Sequence, residues 1–267
     1  MPPTDAPRAG MRIRRETLLP WLLPVSVLIV WQIVAMTGFF PRKTFPPPTD
    51  VVQAFVKLVS SGELASHLGI SFQRAAVGFV VGGGLGFILG ILNGISNRAF
   101  TVFDTSIQMV RSIPHLALIP LIILWLGVGE TAKVFLVAAG ALFPIYLNTL
   151  HGVRGVDPGL LEMGRVYGLT RWQIFQQIVL PGALPSILVG VRYALGIVWM
   201  TLIVAETIAA TSGIGYMAMS AREFMRTDVV MLSIVLYACL GKLADSSARW
   251  MERRWTSWSP TATRLPT

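Results

Sequence analysis

Charge is scarce in this chain: only 13% of its 267 residues are Asp, Glu, Lys or Arg, about half the share of a soluble globular domain. That scarcity excludes an ordinary soluble fold. The single Cys239 lies within an apolar run, so an intrachain disulfide and a multi-thiolate metal site are excluded, and no metal is expected. There is no Gly-x-x-x-x-Gly-Lys-Ser/Thr phosphate loop, which excludes an ATPase site of that kind. His-Glu-x-x-His, a paired aspartate and Gly-x-Ser-x-Gly, the constellations an intramembrane enzyme would need, are also missing, and no catalytic residue is expected. Acidic residues near mid-span are lacking as well. Asp104, Glu130 and Glu206 lie toward span ends, which argues against an ion-coupled secondary transporter.

What the chain has in plenty is apolar sequence, with 54% hydrophobic residues and a mean hydropathy of +0.65. Six runs approach the roughly 20 residues that a helix needs to cross a bilayer: 17–36, 68–94, 107–127, 131–150, 181–205 and 229–245. The expected fold is therefore an all-α membrane protein of six transmembrane helices. It divides into a basic tail (1–16), a spanning domain (17–245) and a second basic tail (246–267). The first run follows Arg8, Arg12, Arg14 and Arg15 and lacks a small-x-small cleavage pattern, so it is read as an uncleaved span.

The net charge of +9 is read as membrane orientation and not as a nucleic-acid footprint. With the N-terminus cytoplasmic, the inside segments hold Arg8, Arg12, Arg14, Arg15, Arg98, Arg111, Arg154, Arg165, Arg171, Arg249, Arg253, Arg254 and Arg264. The outside segments hold only Arg42, Lys43, Lys57, Lys133, Arg222 and Arg226. This asymmetry places both termini in the cytoplasm.

After Pro46-Pro47-Pro48, Thr49 or Asp50 is expected to cap an amphipathic helix whose stripe is Val52, Phe55, Val56 and Val59. Gly213 and Gly215 mark a turn before another short helix. Gly78, Gly82, Gly86, Gly90 and Gly94 recur every four residues in the second span. Such a stripe lets a neighbouring helix approach closely, either as tight packing or as a sliding surface.

The long loop 151–177 carries helix signals of its own. Asp157 can cap a helix starting at Pro158, and Gly168 can end it in the left-handed conformation. Thr170 and Gln173 have the spacing of a capping box for the next helix. Leu161, Met163, Val166, Tyr167 and Trp172 are expected to be exposed on this bend, forming a docking patch.

At this loop the chain resembles the permease subunits of bacterial ABC importers. Their cytoplasmic signature is Glu-Ala-Ala, three residues, Gly, nine residues, Ile, one residue, Leu-Pro. The matching positions are Glu162, Gly168, Ile178, Leu180 and Pro181, with Met163 and Gly164 replacing the two alanines. Gly164 is expected to loosen the first helix, at a cost of up to about 1 kcal/mol relative to Ala.

The resemblance implies a type I ABC importer permease fold. It also implies that the loop, with Tyr167 in it, is a coupling helix seated on a partner ATP-binding subunit. The implied assembly is a homodimer of this chain with two ATPase copies, which hold the ATP and magnesium, and an external substrate-binding protein. The chain itself would bind no cofactor.

Further likeness extends over Ser106–Leu121, Phe143-Pro144-Ile145-Tyr146, Ala205-Glu206-Thr207-Ile208 and Gly213-Ile214-Gly215-Tyr216, and it is greatest to permeases of aliphatic sulfonate importers. Taurine, nitrate and related anion importers share several of these features and stay open as alternatives. Arg74, Arg111, His115, Arg192 and Glu206 lie in or beside spans, where an ionisable group needs a cavity, a partner or the interface. Arg111, His115, Arg192 and Glu206 are the candidate path residues for an anionic substrate, with Glu206 also suited to a cap or a binding-protein contact at the outer end of its span.

Overall fold

The computed structural model describes residues 9–256; the expectations for Arg8, Arg264 and the rest of both tail ends lie outside them. In chain order the helices are α1 (Ala9–Met36), α2 (Pro48–Ser60), α3 (Glu63–Ile95), α4 (Asn97–Arg111), α5 (Ile119–Leu126), α6 (Glu130–Arg154), α7 (Pro158–Val166), α8 (Arg171–Ile174), α9 (Leu180–Ala209), α10 (Ile214–Glu223) and α11 (Thr227–Trp255). No strand occurs among the described residues. Among the described residues, four helical stretches are long and apolar enough to cross a bilayer: Glu63–Ile95, Glu130–Arg154, Arg171–Ile208 and Thr227–Trp255.

The expected third span, 107–127, is not one helix. α4 and the segment His115–Leu126 meet at a 77° bend, and as a bent pair they make a fifth candidate crossing. Pro114 explains the break, because it lacks an N–H and its ring drives the preceding residue out of the helical region. The first expected span, 17–36, corresponds to α1, in which Leu22–Met36 is the apolar stretch among the described side chains.

α3, α6 and α9 form the centre of the bundle around Val137, Ala141, Ile145, Ala194, Val198 and Leu202. The glycine stripe makes this possible. An added Cβ at Gly78 would lie 2.5 Å from Val137, at Gly90 2.6 Å from Thr149 and at Gly94 2.6 Å from Val153. At Gly82 and Gly86 it would meet the α6 backbone at Ala138 and Leu142. The two helices thus touch backbone to backbone, the close approach that small residues permit.

At one end of the bundle, α2 and α10 pack against the start of α11 around Val51, Leu58, Ile214, Met217, Val229 and Leu232. α2 begins at Pro48 after an N-cap Pro47 that offers no side chain, so neither Thr49 nor Asp50 caps it. Asp50 instead accepts hydrogen bonds from Arg42 Nε (2.8 Å) and Nη2 (2.6 Å). That contact holds the Asp50 carboxyl below its ordinary pKa. The stripe Val52, Phe55, Val56 and Val59 faces outward, while Val51, Ala54 and Leu58 are buried.

Candidate functional site

The helix signals read between α6 and α9 are realised in an elbow. Asp157 Oδ1 accepts a hydrogen bond from the Gly159 N–H (2.8 Å), and Pro158 occupies the first helical position. Gly168 has φ +76°. The Leu169 N–H donates to the Gly164 carbonyl (3.0 Å) and the Gly168 N–H to that of Arg165 (3.0 Å), the paired bonds of a Schellman motif. The next helix starts at once with its capping box: the Gln173 N–H donates to Thr170 Oγ1 (3.3 Å) and the Thr170 N–H to Gln173 Oε1 (2.8 Å). α8 then passes through a π turn, Phe175–Val179, into α9. Pro181 lies just beyond that turn, and its ring would clash with the Gln177 carbonyl in a regular α-helix.

Within 151–177, helix takes up both ends. α6 continues to Arg154, and Arg171–Ile208 is one helical stretch. The inner side of the elbow packs Leu161, Ile174, Phe175 and Ile178 onto Val153, Val156, Val179 and Ala183. Leu161, expected to be exposed, belongs to this core. Gly164 is buried as well, and a Cβ there would lie 2.7 Å from Ile178 Cδ1, so the glycine sets α7 close on the helix below it. Ile178, Leu180 and Pro181 are half-buried at the base of α9. The outer side exposes Glu162, Met163, Val166, Tyr167 and Trp172, with Val166 at 86% and Tyr167 at 78%.

The opposite end of the bundle holds a buried ionic cluster that the sequence did not assemble. Arg74 on α3 is 3% exposed. Its Nε and Nη2 donate to Glu130 (2.6 Å each), its Nη1 to Glu206 Oε1 (2.8 Å) and to the Ser212 carbonyl (2.7 Å), and its Nη2 also to Ser212 Oγ (2.8 Å). Glu206, 1% exposed, further accepts from Ser71 Oγ (2.8 and 2.9 Å) and from the Gly215 N–H (2.9 Å). Lys133 is 3% exposed and pairs with Glu130 at 3.0 Å. Two cations and two carboxylates thus neutralise one another; Arg74, Lys133 and Glu206 are buried, as such pairing permits, while the Glu130 side chain is 61% exposed at the rim. Of the two roles expected for Glu206 at the outer end of its span, the bond from the Gly215 N–H in the first turn of α10 is that of a cap, and the buried carboxylate presents no free surface.

The remaining path candidates are scattered. Arg111 is exposed at the end of α4, with its Nη2 donating to Gln108 (3.1 Å). His115 sits in the break, 2.9 Å from Thr201 Oγ1 on α9. Arg192 on α9 pairs with Asp245 on α11 at 2.7 Å. The structure brings Arg111 and His115 to the same bend but places Arg192 and Glu206 in separate surroundings. Arg74, Glu130 and Lys133 were visible as charges near spans, but only a search for opposite charges at facing span ends would have joined them.

Known proteins are similar to this chain in sequence and in fold. The chain is 58% identical over 241 residues to a protein of Escherichia coli (strain K12) named aliphatic sulfonates transport permease protein SsuC, covering 90% of this chain and 92% of the relative. A Bacillus subtilis (strain 168) protein of the same name is 46% identical, covering 89% and 86%. In fold, the chain is similar to the methionine ABC transporter MetNI in inward-facing form, with TM-score 0.58 and 21% identity over 76% of this chain and 98% of that one. An amino acid ABC transporter crystallised with histidines gives 0.59 and 19% over 75% and 97%. Residues 82–257 match the family described as binding-protein-dependent transport system inner membrane component, and this chain, all-helical and of the type I importer permease fold, belongs to that family of ABC importer permeases.

Proposed function

We propose that this chain is the permease subunit of an importer for aliphatic sulfonates, working as a homodimer with two ATP-binding subunits and an external substrate-binding protein. The observation that carries the coupling role is the elbow, whose exposed face of Met163, Val166, Tyr167 and Trp172 is rigidly capped at both helix ends. Seated on the ATPase, which holds ATP and magnesium, the elbow lies in the cytoplasm; both chain termini then do so too, and the ionic cluster faces outward. Glu162, Gly168 and Tyr167 transmit nucleotide-driven movement into α9. The second copy is supported by α4, which buries no residue within the chain and leaves Val102, Phe103, Met109 and Val110 exposed.

The sulfonate assignment is supported by two relatives of that name at 58% and 46% identity, against 35% for a taurine permease and 28% for a nitrate permease. A sulfonate is a permanent anion, and Arg111 and His115 at the helix break give it a polar passage between α4, α6 and α9. Deleting the gene should abolish growth on an alkanesulfonate as sole sulfur source and leave growth on sulfate intact. Loss on taurine alone would move the substrate to the aminosulfonate. Arg111→Gln should slow uptake without changing expression, and an unaltered rate would remove Arg111 from the path.

A further inference from the structure

Most glycines in the bundle have a packing reason, because a Cβ on them would strike a neighbouring helix. Gly196 on α9 and Gly241 on α11 have none: a Cβ on either meets nothing within 4 Å. Both line a groove of about 480 Å³ between the two helices. A glycine inside a helix weakens it relative to alanine, so two such residues facing unfilled space keep a groove open.

The groove is chemically two-ended. Toward the elbow end it carries Arg192, whose Nε donates to Asp245 Oδ1 at 2.7 Å, while Arg249 reaches Asp245 Oδ2 at 2.7 Å. Two cations share one carboxylate, leaving one net positive charge. Among the described residues, neither Nη nitrogen of Arg192 has a hydrogen-bond partner. Toward the middle of the bundle the walls are apolar, formed by Tyr193, Ile197 and Met200. Tyr193 and Met200 are 64% and 68% exposed, so the groove opens to the surroundings of the bundle.

We infer that this groove binds one anionic phospholipid of the leaflet on the elbow side, with its phosphate on Arg192 and Arg249 and an acyl chain along α9. Length fits, and tryptophans place Arg249 near the headgroups, from which Arg192 lies one contact deeper through Asp245. Trp250, 65% exposed, directly follows Arg249, and Trp255, 48% exposed, ends α11; tryptophans at a span end mark the headgroup level. From Arg192 to Met200 the helix rises roughly 12 Å, close to the roughly 15 Å of one leaflet's hydrocarbon. A basic pocket between helices near the headgroups is the arrangement that selects anionic lipids over zwitterionic ones.

The inference is independent of the substrate reading and is tested on the purified full chain. Native mass spectrometry after graded delipidation, with phosphatidylglycerol and phosphatidylethanolamine supplied in equal amounts, should show one phosphatidylglycerol retained per chain. Arg192→Gln should lower that retention about fivefold, the worth of one arginine beside an anionic lipid. Gly241→Leu and Gly196→Leu should lower it as well by filling the groove, since neither side chain meets a neighbouring atom at its Cβ. Arg254→Gln, on an exposed residue outside the groove, should retain the lipid. Equal retention of the two lipids, or unchanged retention in both leucine variants, would overturn the site. Loss of a chain dimer in the leucine variants with lipid retained would assign the groove to a second copy. Displacement of the lipid by hexanesulfonate would assign it to substrate, and either result likewise overturns the lipid site.

Discussion

The elbow and the ionic cluster sit at opposite ends of the α9 rod and are built on opposite terms. In the elbow, the shaping side-chain bonds join residues two or three positions apart, and the product is an exposed apolar face. In the cluster, the bonds of Arg74 and Ser71 join residues 56 to 138 positions apart, beside the short-range Lys133–Glu130 and Gly215–Glu206 bonds, and the product is charge buried at Arg74, Lys133 and Glu206. A surface made of local bonds can gain or lose a partner while the chain stays folded. In the ionic junction joining α3, α6, α9 and the 210–213 turn, loss of Arg74 would leave the buried Glu206 without its cation. The elbow is thus suited to contact and the cluster to holding helix ends in register.

The contrast is broken most directly at Arg74. Arg74→Met leaves Glu206 buried without its cation, and the expected cost is about 3–5 kcal/mol, read as a large fall in the thermal midpoint of the solubilised protein. Arg74→Lys should recover only part of it, because one ammonium cannot replace a five-donor fork. An unchanged midpoint in the methionine variant would place the cluster among ornamental ion pairs.

Between the two ends runs the glycine seam, which predicts an intermediate loss. Gly82→Leu drives a side chain into the Ala138 backbone and should cost about 1–3 kcal/mol through overpacking, visible in the same melting assay. Gly84→Leu is its control, since a Cβ there meets no atom within 4 Å.

At the elbow, stability and function should separate. Tyr167→Ala with Trp172→Ala should leave stability within about 0.5 kcal/mol per site, while co-purification of the ATP-binding subunit drops sharply, as expected when exposed aromatic anchors are removed. Gly168→Val forces a β-branched residue to φ +76° and should cost about 1–2 kcal/mol locally, again with loss of the ATPase and little change in the bundle. Comparable melting losses here and at Arg74 would erase the distinction between the two ends.

The smallest expected effect concerns the exposed Arg42–Asp50 pair. Asp50 has its folded pKa lowered by Arg42. Its contribution is therefore complete above the ordinary carboxylate pKa of about 3.9 and is lost as pH falls through the depressed folded value. Asp50→Asn should leave the melting curve nearly unchanged at pH 7, and the small difference from the parent should shrink as pH falls below the ordinary carboxylate range.

What was legible in the sequence follows the same division. Asp157, Pro158, Gly168, Thr170 and Gln173 announce the elbow because cap and turn chemistry acts over a few neighbouring residues. The glycine period announced a helix crossing for the same reason. The cluster was not legible. Arg74 and Glu206 each stood out, but nothing local links them to Glu130, Lys133 or Ser212, and only the crossing of α3 with α6 and α9 does so. The broken third span was a misreading of a different kind. Pro114 carried the signal, but an apolar run of sufficient length on both sides of it masked the break.

The continuity of Arg171–Ile208 gives the molecule a lever. Thirty-eight helical residues span roughly 57 Å, from the elbow to the turn before Ser212. A tilt of about 5° around the midpoint of such a rod displaces each tip by roughly 2.5 Å in opposite directions. A push on Trp172 at one tip is therefore felt as a pull on Glu206 at the other, where the four charges resist it. With the ionic cluster as the clamped end of a beam, a force applied at the elbow would be taken up as bending along its length, at the π turn of Phe175–Val179 and at Pro185.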